Sequence, residues 1–302
     1  MVPASRLNPP AHPTAILTGT TASGKTAIAI EFARLHREIE IINADSLLVY
    51  RGFNIGTAKP SREELAEIPH HLIDVRDPTE VFTAGDFVRE CETAITDIHA
   101  RGKRALIVGG TGFYLKALLF GLWDAPKAPP ALRAELEAMR DFELYEKLLA
   151  KDEAAALKIT RGDRYRLIRA LETIETTGKT PTELESEAAS RGSVSGLSLF
   201  ITDRENEELR ERIALRTDAM LKAGFLDEVR SLRERYTDIR SFESVGYAEA
   251  IRHLDGKKPE GRKISEGIEG LRSEIILATT QLTNRQRTWF KGQLERVPHL
   301  KF

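Results

Sequence analysis

The sequence predicts an α/β fold, a parallel sheet flanked by helices with a helical insertion, and three observations carry the prediction. Short apolar runs at Thr14–Thr18, Glu40–Asn43 and Arg104–Val108 alternate with helix-periodic stretches at Ala27–Leu35 and from Ala84 to about Ala100. A glycine-rich turn, Gly19 to Gly24, joins the first run to the first helical stretch. From Ala131 to about Ser190 the chain becomes rich in Ala, Glu, Leu and Arg, with no convincing strand. Parallel strands need crossover connections, so strands and helices taken in turn build a sheet of that kind.

Taken in order, residues 1–13 carry four prolines and little hydrophobic pattern, which predicts a mobile tail. The first strand, first helix and second strand follow, and then a loop-rich stretch, Gly52–Asp77, holding GTAKP, HHLID and DPT. Thr83 opens Thr-Ala-Gly-Asp, a capping pattern for the helix from Ala84, and Gly102 stops that helix. The third strand runs into Gly109-Gly110-Thr111-Gly112. Beyond Leu122 the texture changes at Pro126, Pro129 and Pro130, and Pro181 lies further along the helical insertion. Gly196–Asp203 returns to strand character, and amphipathic stretches follow at Asn206–Gly224 and Lys263–Lys291. The expected organisation is a tail at 1–13, a first core part at 14–122, an insertion at 123–193 and a second core part at 194–302.

Composition narrows the function. With 41% hydrophobic, 30% charged and 7% aromatic residues, the 302-residue chain is neither low-complexity nor largely disordered. No apolar run approaches the ~18 residues of a membrane span, and the first fifteen residues lack the apolar core of a secretory leader. The single cysteine, Cys91, permits no internal disulfide and suits a reducing cytoplasm. Because 45 basic residues face 46 acidic ones, an anionic partner has to be held by a local patch.

The turn after the first strand reads Gly19-Thr20-Thr21-Ala22-Ser23-Gly24-Lys25-Thr26 and fits the P-loop pattern G-x-x-x-x-G-K-[ST]. Its glycines let backbone N–H groups turn around a diphosphate, and the helix N-terminus adds its dipole. Lys25 supplies a point charge, and the Thr26 hydroxyl is a candidate ligand for Mg²⁺. A nucleotide triphosphatase needs a second acid at the end of an apolar strand. The third strand ends in Gly-Gly-Thr-Gly without one. The carboxylate stands after the second strand, in Asn43-Ala44-Asp45-Ser46, where parallel sheets bind ligands. There Asp45 could act as a base, as an indirect Mg²⁺ ligand or as a turn residue.

Beyond the P-loop, the blocks ADSLLVYRGFNIGTAKP, PHHLIDVRDPTEVFTAGDF and VGGTGFYLKALLFGL resemble the tRNA dimethylallyltransferases in order and spacing. So do DRYRLIRALE, GKTPTEL, RERIALRTDAMLKAGFLDEV, SVGYAEA and NRQRTWFKG, and the resemblance runs from about Ala15 to Lys291. It implies a P-loop NTPase-like sheet whose loop holds dimethylallyl diphosphate instead of ATP. The implied reaction moves the dimethylallyl group to N6 of adenosine 37, beside the anticodon of a tRNA. By the same resemblance the insertion grips the anticodon stem-loop.

Residue by residue, the resemblance implies diphosphate binding by Gly19 to Thr26 and by Arg212 and Arg216, with Arg216 taking part in catalysis beside Lys25 and Thr26. Mg²⁺ is the implied cofactor and Asp45 the general base, since a carboxylate accepting the amine proton offsets the weak nucleophilicity of an adenine amine. Contacts to tRNA are implied for Asp45, Ser46, Leu47, Leu48 and Thr111, and for Arg133, Tyr165, Arg166, Leu167, Ile168 and Arg169 in the insertion. On charge alone, the run Lys158, Arg161, Arg164, Arg166 and Arg169 reads equally as a solvated helix face. The same alternative holds for Arg212 and Arg216, with Glu207, Glu208 and Glu211 close by.

The sequence departs from the family at several positions. Thr20 stands where Pro is common, and Leu48 where Gln is frequent. Thr279-Thr280 replace a usual Thr-Arg pair, and Asn284 a usual Lys. A kinase built on the same loop is the second reading, and an RNA-binding switch without catalysis the third. A monomer without membrane attachment is expected. His70-His71, adjacent on an extended segment, point to opposite faces and make poor metal geometry. Cys91 and Trp289-Phe290 read as packing.

Overall fold

The computed structural model describes residues 14–121, 126, 128–190, 197–257, 267–294 and 299–301. The expected tail at 1–13, most of the proline boundary after Leu122, the start of the strand at Gly196 and the start of the helix at Lys263 fall outside the described residues. Two compact units divide the chain, one made of Met1–Leu115 with Ser195–Phe302 and the other of Lys116–Val194.

The first unit is built on β1 (Thr14–Gly19), α1 (Lys25–Leu35), β2 (Ile39–Asn43), α2 (Arg62–Glu67), β3 (His70–His71), α3 (Ala84–Ala100) and β4 (Arg104–Gly109). Next comes α4 (Gly112–Phe120), and the insertion supplies α5 (Pro130–Ala138), α6 (Asp141–Lys151), α7 (Glu153–Lys158), α8 (Arg164–Thr177) and α9 (Pro181–Ser190). The chain then returns as β5 (Leu197–Thr202), α10 (Asn206–Lys222), α11 (Phe225–Arg235), a 3-10 turn at Arg240–Glu243, α12 (Tyr247–Leu254), α13 (Gly267–Leu294) and β6 (His299–Lys301). Within the stretch read as loop-rich, Gly52–Asp77, the structure places α2 and β3. Both are too short to give a periodic signal.

The six strands lie in the order β3-β2-β4-β1-β5-β6, and every pairing is parallel. Alternate residues along the strands are buried on both faces, as parallel sheets require. Leu17, Ile41, Leu106 and Val108 pack with Ala29, Ile30 and Ala33 of α1. Their neighbours Ile16, Ile42 and Ile107 are fully buried in turn. Helix α3 buries Phe87, Cys91, Ala94 and Ile98, and its start is the capping box the sequence predicts. In it the Asp86 amide donates to Thr83 Oγ1 at 3.1 Å, and Asp86 Oδ2 accepts from the Thr83 amide at 2.8 Å.

This topology positions the site. From β1 the chain crosses to β2 on one side, while β5 lies on the other side of β1 and β4 sits between β1 and β2. The strand order therefore reverses at the β1–β4 pair, and the carboxyl ends of such neighbours form the crevice in which open α/β sheets bind ligands. The loop after β1 is the P-loop, and the turn after β4 is Gly110-Thr111.

In the second unit Leu136, Leu144, Tyr145, Leu148, Ala156, Leu167, Ile168 and Leu171 form one core. Asp163 caps α8 by accepting the Arg166 amide at 3.1 Å, and Gly178 ends that helix at φ 70°.

Candidate active site

The phosphate loop is shaped by close backbone packing. A Cβ at Gly19 would collide with Thr202, the last residue of β5. Ala22 (φ 64°) and Gly24 (φ 93°) both take the left-handed conformation, which curls the loop back onto α1. For an alanine that conformation costs about 1–2 kcal/mol, so the surroundings hold it in place. Ser23 Oγ lies 2.7 Å from Thr202 Oγ1, and the Ser23 amide donates to Thr20 O at 3.2 Å. Arginines from the second half of the chain grip the outside of the loop. Arg212 Nε donates to Ala22 O at 2.8 Å and Arg204 Nε to Ser23 O at 3.3 Å. Helix α1 begins at Lys25 and turns its unpaired N–H groups toward the loop.

Asp45 sits two residues beyond β2, held by Asn43. The Asn43 carboxamide accepts the Asp45 amide at 2.8 Å and donates to Asp45 O at 3.0 Å and to Leu72 O at 2.9 Å. One Asp45 oxygen, Oδ1, accepts the Leu47 amide at 3.0 Å. Thr111 locks onto the same turn, its Oγ1 accepting the Ser46 amide at 3.0 Å. The Asp45–Ser46 turn and the Gly-Gly-Thr-Gly turn are thus one interlocked unit.

Three charges meet at this edge. Burial lowers the Lys25 pKa to about 8, with Asp45 raising it and Arg216 lowering it further. Burial also lowers the Arg216 pKa, opposed by Asp45 and Tyr247. Two partly buried cations thus share one carboxylate. Among the described residues neither forms an ion pair at contact distance, and Lys25 Nζ only donates to Thr20 O at 3.3 Å. Arg212 splits between the two readings of its charge: it holds the loop carbonyl and lies 3.9 Å from Glu208.

Sequence reasoning missed the residues that brace this crevice from afar. Gln286 on α13 binds both the P-loop and the turn after β4, and Trp289 packs on Gly112, where a Cβ would stand 2.6 Å from its ring. Trp289 therefore packs as expected, and Phe290 is buried. Glu228 on α11 accepts the amides of Asn54, Ile55 and Gly56 at 3.0, 2.7 and 3.1 Å and the Tyr247 hydroxyl at 2.7 Å. The loop after Ser46 is thereby tied to the second half of the chain. Lys59 pairs with Asp74 at 2.5 Å and donates to Tyr50 O at 3.0 Å. The signal for these contacts is spatial: the residues stand in blocks that resemble the family, but nothing in those blocks says which of them meet.

Within the second unit, the expected basic surface is heavily paired. Arg166 meets Asp163 at 2.5 Å, Arg164 meets Asp141 at 2.7 Å, and Arg133 meets Glu137 at 2.6 Å and Glu172 at 3.1 Å. Arg169 lies 3.3 Å from Glu172, and Arg161 stacks on the Tyr145 ring. Tyr165 is 59% exposed. Leu167 and Ile168, expected among the tRNA-binding residues, are 0% and 2% exposed and belong to the hydrophobic core, so an RNA contact at these positions falls to their backbone and not to their side chains.

His70 Nδ1 lies 2.7 Å from Ile68 O and His71 Nε2 lies 2.8 Å from Glu40, so the pair is structural. The Cys91 thiol is buried and its pKa pushed up, which leaves it unreactive. Among the described residues Thr20 Oγ1 is buried without a hydrogen-bond partner, at the position where the family commonly has Pro. Among the described residues no cluster of three His, Cys, Asp or Glu side chains could hold a metal by itself. The expected Mg²⁺ would need only one or two protein oxygens beside substrate phosphates and water, and the Thr26 hydroxyl is the loop's candidate. No described helix is long and apolar enough to cross a membrane.

A P-loop and a strand-end carboxylate at the switch point of a parallel sheet define a phosphate-handling α/β protein of the P-loop class. The profile of the IPP transferase family matches residues 48–293. The tRNA dimethylallyltransferase of Polaromonas sp. (strain JS666 / ATCC BAA-500) is 42% identical over 294 residues, covering 93% of this chain and 88% of its own length. Among solved structures, the tRNA isopentenylpyrophosphate transferase of Bacillus halodurans superposes with a TM-score of 0.66 at 34% identity, covering 96% of this chain and 89% of that one. A eukaryotic dimethylallyltransferase, captured acting on tRNA, superposes with a TM-score of 0.80 at 29% identity, covering 93% of this chain and 70% of that one. The chain belongs to the IPP transferase family.

Proposed function

We propose that the protein transfers a dimethylallyl group from dimethylallyl diphosphate to N6 of adenosine 37 of tRNA, releasing diphosphate. The observation that carries this reading is the phosphate loop bearing Lys25 at the carboxyl end of the sheet, beside the Asp45–Ser46 turn that Thr111 locks in place. Partly buried cations that share a single carboxylate are electrostatically ready for an anion. Diphosphate leaves readily only when its developing charge is neutralised, and the loop amides, Lys25 and Arg216 stand where that charge grows.

In the proposed reaction the N6 nitrogen attacks the allylic carbon, the carbon–oxygen bond to diphosphate breaks, and Asp45 accepts the N6 proton. Asp45 Oδ1 already accepts the Leu47 amide, which leaves Oδ2 as the oxygen for the proton. Asn43 fixes the backbone on both sides of that carboxylate, and Arg212 keeps the loop wrapped by binding Ala22 O. Mg²⁺, when bound, would be held by the Thr26 hydroxyl and would neutralise diphosphate oxygens. The adenosine has to leave the anticodon stack to reach the crevice, as base-modifying enzymes require. Arg133, Tyr165, Arg166 and Arg169 are the residues proposed to hold the stem-loop.

The test is mass spectrometry of tRNA nucleosides after incubation with protein, Mg²⁺ and dimethylallyl diphosphate. The expected product is an adenosine heavier by one five-carbon unit, with turnover reduced about 10²–10⁴-fold in Asp45→Ala and tRNA affinity retained. If ADP forms from ATP and no prenylated adenosine appears across a full tRNA set, the kinase reading takes its place.

A further inference from the structure

Gln286 lies 265 residues along the chain from Thr21, yet its carboxamide joins the two turns of the crevice. Its Oε1 accepts the Thr21 amide of the phosphate loop at 2.8 Å, and its Nε2 donates to Gly110 O, after β4, at 3.1 Å. The junction is tight. A Cβ at Gly110 would stand 3.1 Å from Gln286 Nε2, 3.1 Å from Gly19 O and 3.4 Å from Lys25 Nζ. The helix carrying Gln286 is anchored on either side of it, by buried Thr283 and Phe290 and by Trp289 lying on Gly112.

We propose that Gln286 is a positioning residue that holds the phosphate loop in its diphosphate-receiving shape and sets it in register with the turn carrying Thr111. Fixing the Thr21 amide fixes the Thr20–Thr21 peptide, one residue ahead of Ala22, the non-glycine residue of the loop in the left-handed region. The residue type suits the task. A carboxamide accepts from one turn while donating to the other, which a carboxylate or an ammonium cannot do. It is also neutral, so it neither repels diphosphate nor competes with Lys25 for it.

This inference rests on the reading of the loop as a diphosphate site, and the probe is inorganic diphosphate with Mg²⁺, titrated by calorimetry without any transfer step. Gln286→Met is expected to bind about tenfold more weakly than wild type, the loss of hydrogen bonds that order the site, while its urea midpoint stays close to wild type. Gln286→Glu keeps the acceptor, loses the donor and adds a negative charge, so it is expected to bind more weakly still. Equal affinity in wild type and Gln286→Met overturns the positioning role and leaves the diphosphate site standing. A wild type that does not bind diphosphate overturns both. Amide hydrogen exchange needs no variant: the Thr21 proton of the wild type is expected to be protected, and exchange at the rate of an open loop overturns the proposal.

Discussion

The phosphate crevice and helix α8 of the insertion both looked basic in the sequence, but their charges are arranged in opposite ways. In the crevice, Lys25 and Arg216 are partly buried and both lean on Asp45, with Tyr247 adding to its effect at Arg216. On the insertion, Arg164 and Arg166 are matched to Asp141 and Asp163, and Arg133 and Arg169 to Glu172. The first arrangement is strained without an anion and gains by binding one. The second is already satisfied, so an RNA phosphate has to displace a carboxylate before it gains anything. Counting charge along the chain cannot separate these cases, whereas counting partners does.

The largest break of that comparison is Lys25→Met. Losing the point charge at the leaving group is expected to cut turnover by about 10²–10³ and to weaken diphosphate binding with it. The lowered pKa adds a pH signature. With Lys25 titrating at about 8 in the free protein, its contribution to diphosphate affinity is present below that pH and fades as pH rises through it. Measured as the ratio of wild-type to Lys25→Met affinity, that advantage should be constant below about pH 8 and shrink as pH rises above it, because bound diphosphate holds the lysine proton to a higher pH. Stability moves the other way. The unfolded lysine keeps its proton to about 10.5, so between about 8 and 10.5 the unfolded chain binds more protons and Lys25's contribution to stability rises with pH. Urea midpoints of wild type and Lys25→Met across that window check the sign.

Which parts were legible follows from the same contrast between local and distant information. The P-loop could be read because its eight residues are contiguous and lie between a strand and a helix. Asp45 could be read because the carboxyl end of a parallel strand is a meaningful address. Gln286 and Thr202 could not be read, because nothing in their neighbourhoods reports what they meet after folding. For Leu167 and Ile168 the block reading could not tell side chain from backbone. They stand inside a block that resembles a tRNA-contacting segment, and only the helical turn decides that Tyr165 and Arg166 face out while these two face the core. In the loop-rich stretch, β3 is two residues long and held by its register with Ile41 and Ile42, a pairing that no local pattern encodes.

A smaller break is Asp163→Asn. Asparagine keeps the cap on α8, since it accepts the Arg166 amide as aspartate does, but it frees the Arg166 guanidinium from its ion pair. If α8 is a tRNA surface, affinity at low salt is expected to rise about threefold, and the dependence of binding on salt to steepen by about one counterion. Filter binding from 50 to 200 mM salt reads both. An unchanged slope would make the α8 arginines a surface neutralised for solubility, and would shift the RNA contacts of this chain to the Ser46–Thr111 turn.

The smallest expected effect lies back in the crevice, at Thr20. Among the described residues its buried hydroxyl has no hydrogen-bond partner. An unsatisfied buried hydroxyl costs about 1–3 kcal/mol of desolvation, and replacing it by an apolar group of the same shape recovers part of that. Thr20→Val keeps the branched shape and is expected to raise stability by about 1 kcal/mol, seen as a higher urea midpoint at constant slope. Diphosphate affinity should not change, because Thr20 serves the loop through its backbone: its carbonyl accepts from the Ser23 amide and from Lys25 Nζ. A loss of affinity in Thr20→Val would mean that the hydroxyl is the ligand's partner, and that this chain recruits a contact which a proline at the same position cannot supply.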